Sequence, residues 1–262
     1  MGEIVTRSLS YRDIDLAYKS AGSGPVLMLL HGANGNMSWL PIVEKLAERF
    51  QVILPDHPGF GDTSRSDWIS SISDLAYFYL DIFDAMGLGG IHLAGHSMGG
   101  WIAAEIAIRN SHDLKSLTLV SSAGISVEGT PMGDLFSWTP QEAAHQIWAG
   151  KKYIAEMLAH EPSAEEMVLM QNNRQMAVAL CETAQFQNPD LKKWLHRLTS
   201  PTLLLWGDSD GIFPEAFAHA YHELIPNSDL EIFKNCGHVP MVEAQEGFLQ
   251  RLTVFMEQSI KA

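Results

Sequence analysis

The chain has 262 residues, of which 46% are hydrophobic, enough for one large or two small domains with a buried core and too many for a disordered chain. Lys and Arg number 17 against 31 Asp and Glu, a net charge of −14 that repels phosphate backbones and anionic lipid. We therefore expect neither nucleic acid nor a membrane as partner. Cys181 and Cys236 have no metal-ligand spacing and are expected to be reduced thiols of a cytoplasmic protein. The N-terminus lacks a targeting pattern, and no apolar run reaches the roughly 18 residues of a membrane span.

The first half of the chain alternates between strand and helix patterns. Two strands are predicted at 3–9 and 12–19, as a hairpin that turns at Ser10-Tyr11, and two more at 25–30 and 51–55. Apolar residues three and four apart predict a helix over 72–86, which Gly87 ends. The pattern continues with a strand at 91–94, a helix at 98–109, and strands at 116–120, 202–206 and 230–233. Such alternation is typical of an α/β fold with a mostly parallel sheet that helices cover on both faces, and ligands bind such sheets beyond the carboxyl ends of the strands.

Residues 125–196 break this alternation, because helical periodicity continues there without a convincing strand. We interpret 125–196 as a helical cap inserted into a core domain formed by 1–124 and 197–262. The cap is rich in methionine and aromatic residues, which would suit an apolar acyl pocket. The same residues would equally serve to pack the cap helices together, so none is assigned to substrate.

Ser97 is the candidate nucleophile. Residues 95–100 read G-H-S-M-G-G directly after a strand and before a helix, which is the context of a nucleophile elbow. The pentapeptide G-x-S-x-G alone occurs often by chance. A nucleophilic serine also needs a base to take its proton and an acid to orient that base.

Both partners follow at the ends of predicted strands. G-D-S-D-G at 207–211 follows one strand and offers Asp210 or Asp208, and N-C-G-H at 235–238 follows the next and offers His238. Ser97, Asp210 and His238 stand in the order nucleophile, acid, base, which differs from the chymotrypsin and subtilisin orders.

An oxyanion hole is expected where H-G-A-N-G at 31–35 follows another buried strand. Acyl transfer passes through an oxyanion that two preorganised N–H donors stabilise. We assign these donors to the backbone of Ala33 and of Met98, since Met98 opens a helix and its N–H has no partner within that helix.

These motifs, together with D-H-P-G-F-G at 56–61, resemble those of the α/β-hydrolase superfamily, from the first strand to the last helix. The resemblance implies an eight-stranded sheet and a cap after the sixth strand, above Ser97. It favours Asp210 over Asp208, because the acid is the last residue of G-x-x-D in this family. Some members carry the acid after the sixth strand, but here that strand is followed by Ser121-Ser122-Ala123 and no carboxylate is present.

The function we expect is that of a serine carboxylesterase. It would cleave small to medium, largely apolar esters through an acyl-enzyme, with no cofactor and no metal, as a monomer or a homodimer. His57 and His31 are interpreted as structural, and His96 as a poor base because it points away from its neighbour Ser97.

Other activities of the superfamily remain open. Carbon-carbon bond hydrolases of ring-cleavage dienoates are similar in D-H-P-G-F-G and S-M-G-G, although they typically carry Asn at the position of His96 and Trp at that of Val239. Arg174 would bind a dienoate carboxylate or would simply be an exposed helix residue. Hydroxynitrile lyases and perhydrolases keep the same triad, and some relatives are small-ligand receptors that signal through a partner. Ser97 argues against epoxide hydrolases and haloalkane dehalogenases, whose nucleophile is Asp.

Overall fold

The computed structural model describes residues 3–181 and 185–260. Eight strands form one sheet in the order β1-β2-β4-β3-β5-β6-β7-β8. β1 runs antiparallel to β2 and β2 antiparallel to β4, whereas all other neighbours are parallel. The strands are Val5–Tyr11 (β1), Ile14–Ala21 (β2), Val26–Leu30 (β3), Gln51–Pro55 (β4), Ile91–His96 (β5), Leu114–Val120 (β6), Thr202–Gly207 (β7) and Ser228–Phe233 (β8). The predicted α/β fold with a mostly parallel sheet is confirmed.

The hairpin turn was predicted wrongly. β1 extends to Tyr11, which pairs with Ile14, so the turn lies at Arg12 and Asp13 and not at Ser10-Tyr11. Arg12 adopts a φ of 54°, as two-residue hairpin turns require. Tyr11 stays in the strand because its ring packs on Phe78, an interaction across the fold that alternation within the segment does not reveal.

Every residue of β5 and β7 is buried, so both faces of the sheet are covered at its centre, as helices on both sides would cover it. The predicted helices at 72–86 and 98–109 are present, the second with the predicted bounds. The helices are Leu40–Leu46 (α1), Ile72–Ala85 (α2), Met98–Arg109 (α3), Pro140–Ile147 (α4), Lys151–Ala159 (α5), Ala164–Cys181 (α6), Leu191–Trp194 (α7), Glu215–Leu224 (α8), Pro240–Glu243 (α9) and Gln245–Ser259 (α10).

The segment between β6 and β7 contains α4 to α7, and its described residues form no strand beyond isolated bridges. We call residues 125–196 the helical insertion. Within the described ranges, no helix combines the length and the apolar character needed to cross a bilayer.

Candidate active site

Ser97 lies at a sharp turn between β5 and α3. Its backbone has a φ of 56° and a ψ of −119°, a conformation that non-glycine residues rarely adopt and that costs strain energy. The turn is held by hydrogen bonds from Ser97 N–H to the Val120 carbonyl at 2.9 Å and from Ala123 N–H to the Ser97 carbonyl at 3.1 Å. The end of β6 and the segment that follows it therefore hold the strained residue through both its N–H and its carbonyl group.

The glycines that flank Ser97 allow the turn to pack closely. A Cβ atom on Gly95 would lie 2.1 Å from the carbonyl oxygen of Gly99, and a Cβ atom on Gly99 would lie 2.3 Å from that of Leu30. Either side chain would push strand and helix apart. The spacing G-x-S-x-G thus follows from the close approach of β5, α3 and β3 around the serine.

Asp210 and His238 form a buried pair. His238 Nδ1 lies 2.9 Å from Asp210 Oδ2, and both residues are at least 95% buried. The other carboxylate oxygen of Asp210 accepts hydrogen bonds from the N–H groups of Ile212 at 2.9 Å and Phe213 at 3.0 Å. With both oxygens engaged, the carboxylate has one orientation, and Nε2 is the ring nitrogen of His238 that remains for proton transfer.

Asp208, the alternative acid, points elsewhere. One of its oxygens accepts a hydrogen bond from Ser209 Oγ at 2.9 Å, and the other lies 3.7 Å from Lys234 Nζ. The first of these oxygens also accepts a hydrogen bond from Cys236 N–H at 3.4 Å, so Asp208 links its own loop to the loop that precedes His238. The structure pairs the histidine with Asp210, as the resemblance implied.

Ser97 and His238 line the same cavity, although they lie far apart in the sequence. No direct hydrogen bond joins Ser97 Oγ to the His238 ring in the described parts of the chain. The structure thus brings all three residues of the predicted triad to one place and shows the hydrogen bond between two of them.

The two predicted oxyanion donors also lie beside Ser97. A Cβ atom on Gly32 would lie 3.1 Å from Ser97 Cβ, so the loop that carries Ala33 passes in contact with the serine. Met98 is the first residue of α3. Within residues 3–181 and 185–260, neither the Ala33 nor the Met98 N–H donates a hydrogen bond to an acceptor. Both amides are available for a ligand oxygen.

His96 contacts both the backbone and the ring of His238. Its Nε2 lies 2.9 Å from the His238 carbonyl oxygen, and its Nδ1 lies 3.3 Å from Ser38 Oγ. A carbonyl only accepts hydrogen bonds, so Nε2 carries the proton and Nδ1 accepts from the serine hydroxyl. Burial lowers the pKa of His96 to about 3, which keeps the ring neutral. Its contact with His238 was not predicted, because residues 142 positions apart give no local signal.

His31 and His57 form a buried pair at the start of the loop 31–35, with ring centroids 3.8 Å apart. His57 N–H donates to His31 Nε2 at 3.0 Å, and His57 Nε2 donates to the His31 carbonyl at 3.0 Å. Tyr79 Oη donates to His57 Nδ1 at 2.6 Å. Burial lowers the pKa of His31 to about 4 and that of His57 well below its ordinary value. Their hydrogen bonds link β3, β4 and α2, so these rings brace the loop.

The cavity above Ser97 has a volume of about 350 Å³ and is largely apolar. Its lining, taken over the described residues, includes no Lys, Arg, Asp or Glu. The residues that line it are Gly32, Ala33, Asn34, Gly35, Met37, Ser38, Pro41, His96, Ser97, Leu135, Ile147, Trp148, Met157, Ile212, His238, Val239 and Val242. Four of these, from Leu135 to Met157, belong to the helical insertion. Met37, Ser38 and Pro41 were not predicted, since nothing in their local sequence indicates a binding wall.

Most methionine and aromatic residues of the insertion have other surroundings. Met176 packs on Gly59, and Phe136 packs on Phe186 with ring centroids 5.1 Å apart. Met167 and Met170 are more than half exposed. Arg174 donates a hydrogen bond to the Phe136 carbonyl, lies 5.2 Å from that ring and does not line the cavity.

Comparisons with known proteins support the same assignment of the fold. A family model for the alpha/beta hydrolase fold matches residues 25–245, which is most of the chain. The chain belongs to the alpha/beta hydrolase fold family.

Individual relatives include lipases and a dienoate hydrolase. This α/β hydrolase is 29% identical to Lipase 1 of Psychrobacter immobilis over 255 residues, which cover 92% of the chain and 80% of the lipase. It is 25% identical to 2-hydroxy-6-oxo-2,4-heptadienoate hydrolase of Pseudomonas putida over 262 residues, 93% of each chain. A solved bacterial membrane phospholipase A superposes with a TM-score of 0.74 at 27% identity, over 99% of this chain and 87% of that one.

Proposed function

We propose that this α/β hydrolase is a serine esterase that cleaves carboxylic esters of small to medium, largely apolar substrates. Ser97 is the nucleophile, His238 the general base, and Asp210 the acid that orients the base. The Ala33 and Met98 amides form the oxyanion hole. The observation that carries the proposal is the position of Ser97 and His238 on an uncharged, apolar cavity, with Asp210 bound to the far side of the imidazole.

Acylation begins when His238 Nε2 takes the proton of Ser97 Oγ, and the oxygen attacks the ester carbonyl carbon. The carbonyl oxygen becomes an oxyanion that accepts hydrogen bonds from the Ala33 and Met98 N–H groups. The carbon-oxygen bond to the alcohol then breaks, and His238 returns the proton to the departing alkoxide. The acyl group stays on Ser97 as an ester.

Deacylation repeats these steps with water. His238 removes a proton from a water molecule, the resulting hydroxide attacks the acyl carbon, and the proton passes to Ser97 Oγ as the carboxylic acid leaves. Asp210 keeps the proton of the neutral imidazole on Nδ1 and stabilises the cation that forms twice per cycle. The backbone contacts of Asp210 fix its carboxylate for this purpose.

The cavity favours a neutral, apolar acyl group. Its volume of about 350 Å³ lies near the lower end of the range of roughly 300–1,000 Å³ that small-molecule sites occupy. A ring-cleavage dienoate carries a carboxylate, which would enter an uncharged lining at a desolvation cost. Arg174, the residue that we considered for binding that carboxylate, binds the Phe136 carbonyl instead.

We also propose that the helical insertion acts as a cap. Leu135, Ile147, Trp148 and Met157 supply one wall of the cavity from this segment. The core supplies the wall that carries Ser97, so substrate would bind between the two.

A substrate panel tests the function. It contains p-nitrophenyl esters of increasing acyl length and one ring-cleavage dienoate, with fluorophosphonate labelling of Ser97 and the Ser97→Ala variant as controls. We expect rapid multiple turnover of short and medium esters, labelling of the parent protein and loss of both in the variant. The loss follows from removal of the nucleophile, which costs several kcal/mol of barrier.

Three outcomes would contradict this proposal. Preferential cleavage of the dienoate would assign carbon-carbon bond hydrolysis. Slow turnover coupled to a ligand-dependent change in the helical insertion would favour a receptor. Parental activity of Ser97→Ala on p-nitrophenyl butyrate would overturn the mechanism.

A further inference from the structure

Glu243 joins the loop of the base to the helical insertion. It is the last residue of α9, five positions after His238. Its Oε2 accepts a hydrogen bond from Gly237 N–H at 2.6 Å, and Gly237 directly precedes His238. Its Oε1 accepts hydrogen bonds from Gly150 N–H at 2.7 Å and Ala149 N–H at 3.1 Å. One carboxylate thus holds the histidine loop and the turn between α4 and α5 together.

The backbone of His238, the residue after Gly237, is also hydrogen-bonded to the helical insertion. His238 N–H donates to the Ile147 carbonyl oxygen at 2.7 Å, and Gly211 N–H donates to the Gln146 carbonyl oxygen at 2.9 Å. The end of α4 therefore contacts the loops of both Asp210 and His238. A Cβ atom on Gly237 would lie 2.2 Å from the Ile147 carbonyl oxygen, which shows how closely these segments approach.

The position of Glu243 also suits α5. Gly150 is the N-terminal cap residue of that helix. A glycine has no side chain that could accept a hydrogen bond from the N–H groups of the first turn of the helix. These groups carry partial positive charge, so a carboxylate at this point is favourable. Charge-assisted hydrogen bonds of this kind are stronger than neutral ones. Glu243 accepts from the N–H of this cap residue and from that of Ala149 before it, so its carboxylate lies at the start of α5.

We propose that Glu243 is a positioning residue for the catalytic base. By holding Gly237 against the start of α5, its carboxylate fixes the loop from which the His238 imidazole reaches toward Ser97. The same carboxylate holds the beginning of the helix that carries Met157, a residue of the cavity wall. The inference rests on the proposed function, because it takes His238 to be the base.

The Glu243→Gln variant tests this role at nearly constant size. The glutamine amide keeps one acceptor oxygen but turns an NH2 group toward backbone N–H donors, so one side of the bridge is lost. Since small displacements of a catalytic group are costly, we expect kcat on p-nitrophenyl butyrate to fall about ten- to a hundredfold. We expect KM for this short ester to change less than twofold.

Two further variants serve as rescue and control. Glu243→Asp keeps the charge on a shorter side chain and should recover part of kcat. Glu246→Gln removes the same charge from an exposed residue at the start of α10 and should retain the parental kcat.

The rate of Ser97 labelling by a fluorophosphonate gives a second readout, which depends on the base and not on the ester. A Glu243→Gln variant that matches the parent in kcat and labelling rate would overturn the positioning role, even if its Tm is lower, because a merely structural bond affects stability alone. If that variant does not fold, Glu243→Asp decides by the same two rates. A parent protein that neither hydrolyses esters nor reacts with the probe overturns the proposed function first, and the role of Glu243 with it.

Discussion

The His96 imidazole donates a hydrogen bond to the carbonyl oxygen of His238 at 2.9 Å, with the two rings 4.8 Å apart. The residue next to Ser97, the proposed nucleophile, thereby holds the backbone of His238, the proposed base. Both groups are buried, so the carbonyl would have no water to replace this donor.

His96→Ala should lower both stability and activity. The unpaired carbonyl costs about 1–3 kcal/mol of the free energy of unfolding, and a less restrained His238 should reduce kcat about tenfold. His96→Gln places an amide donor near the position of Nε2 and should recover part of kcat. Chemical denaturation and ester hydrolysis measure the two effects. His112→Ala, at an exposed histidine, serves as control, and equal kcat values for His96→Ala and this control would contradict the expectation.

Asp210→Asn should reduce kcat about 10³- to 10⁴-fold with little loss of folded protein. The asparagine oxygen can still accept from the N–H groups of Ile212 and Phe213, but its NH2 group then faces His238 Nδ1. The imidazole must accept there and carry its proton on Nε2, which is the wrong tautomer for a base. Asp208→Asn is the matched control two residues away, and we expect near-parental kcat from it. The opposite ranking of these two variants would assign the acid to Asp208.

Met157→Ala should shift the preference toward longer acyl chains. The Met157 side chain lines the cavity, and its sulfur lies 3.3 Å from the Trp148 indole nitrogen. Truncation adds room for a methylene group or more, each worth about 0.8 kcal/mol when buried, so the ratio of kcat/KM for octanoate to that for butyrate should rise several-fold. Met170→Ala changes an exposed methionine of the insertion and should leave the ratio unchanged. Identical ratios in both variants would remove Met157 from the substrate wall.

Stability should fall on acidification between about pH 6.5 and pH 4. Burial lowers the pKa of His31 and His92 to about 4 and that of His96 to about 3. The unfolded chain, with histidines near 6.5, binds protons in this window that the folded protein does not, so each proton favours unfolding. Protonation linked to His31 alone lowers the free energy of unfolding by on the order of 3 kcal/mol across the whole window. The pKa of the buried Asp56 carboxyl is raised, which opposes this trend at a single site.

Thermal unfolding between pH 7.5 and pH 5 measures the slope. We expect Tm to decrease steadily toward pH 5, and His92→Asn to flatten the decrease while the exposed His112→Asn does not. A Tm that is constant or rises toward pH 5 would show that the buried histidines do not control acid stability.

The order of elements and the clustering of the three proposed catalytic residues were readable from the sequence. Strand ends with Gly-rich turns predicted where Ser97, Asp210 and His238 lie in the fold, because parallel strands bring their carboxyl ends to one edge of a sheet. The boundary of the first hairpin was not readable. The packing of Tyr11 on Phe78, which lies far along the chain, extends β1 beyond the predicted turn.

Local sequence by itself therefore determined the α/β architecture and the bounds of α3, since hydrophobic periodicity acts between near neighbours. Tertiary structure decided which oxygen of which aspartate meets the imidazole and which side chains of the helical insertion form the cavity wall. It also decided that His96 and Glu243 bind the loop that carries His238. These last features depend on hydrogen bonds between segments up to 142 residues apart, and the chain positions alone do not specify such contacts.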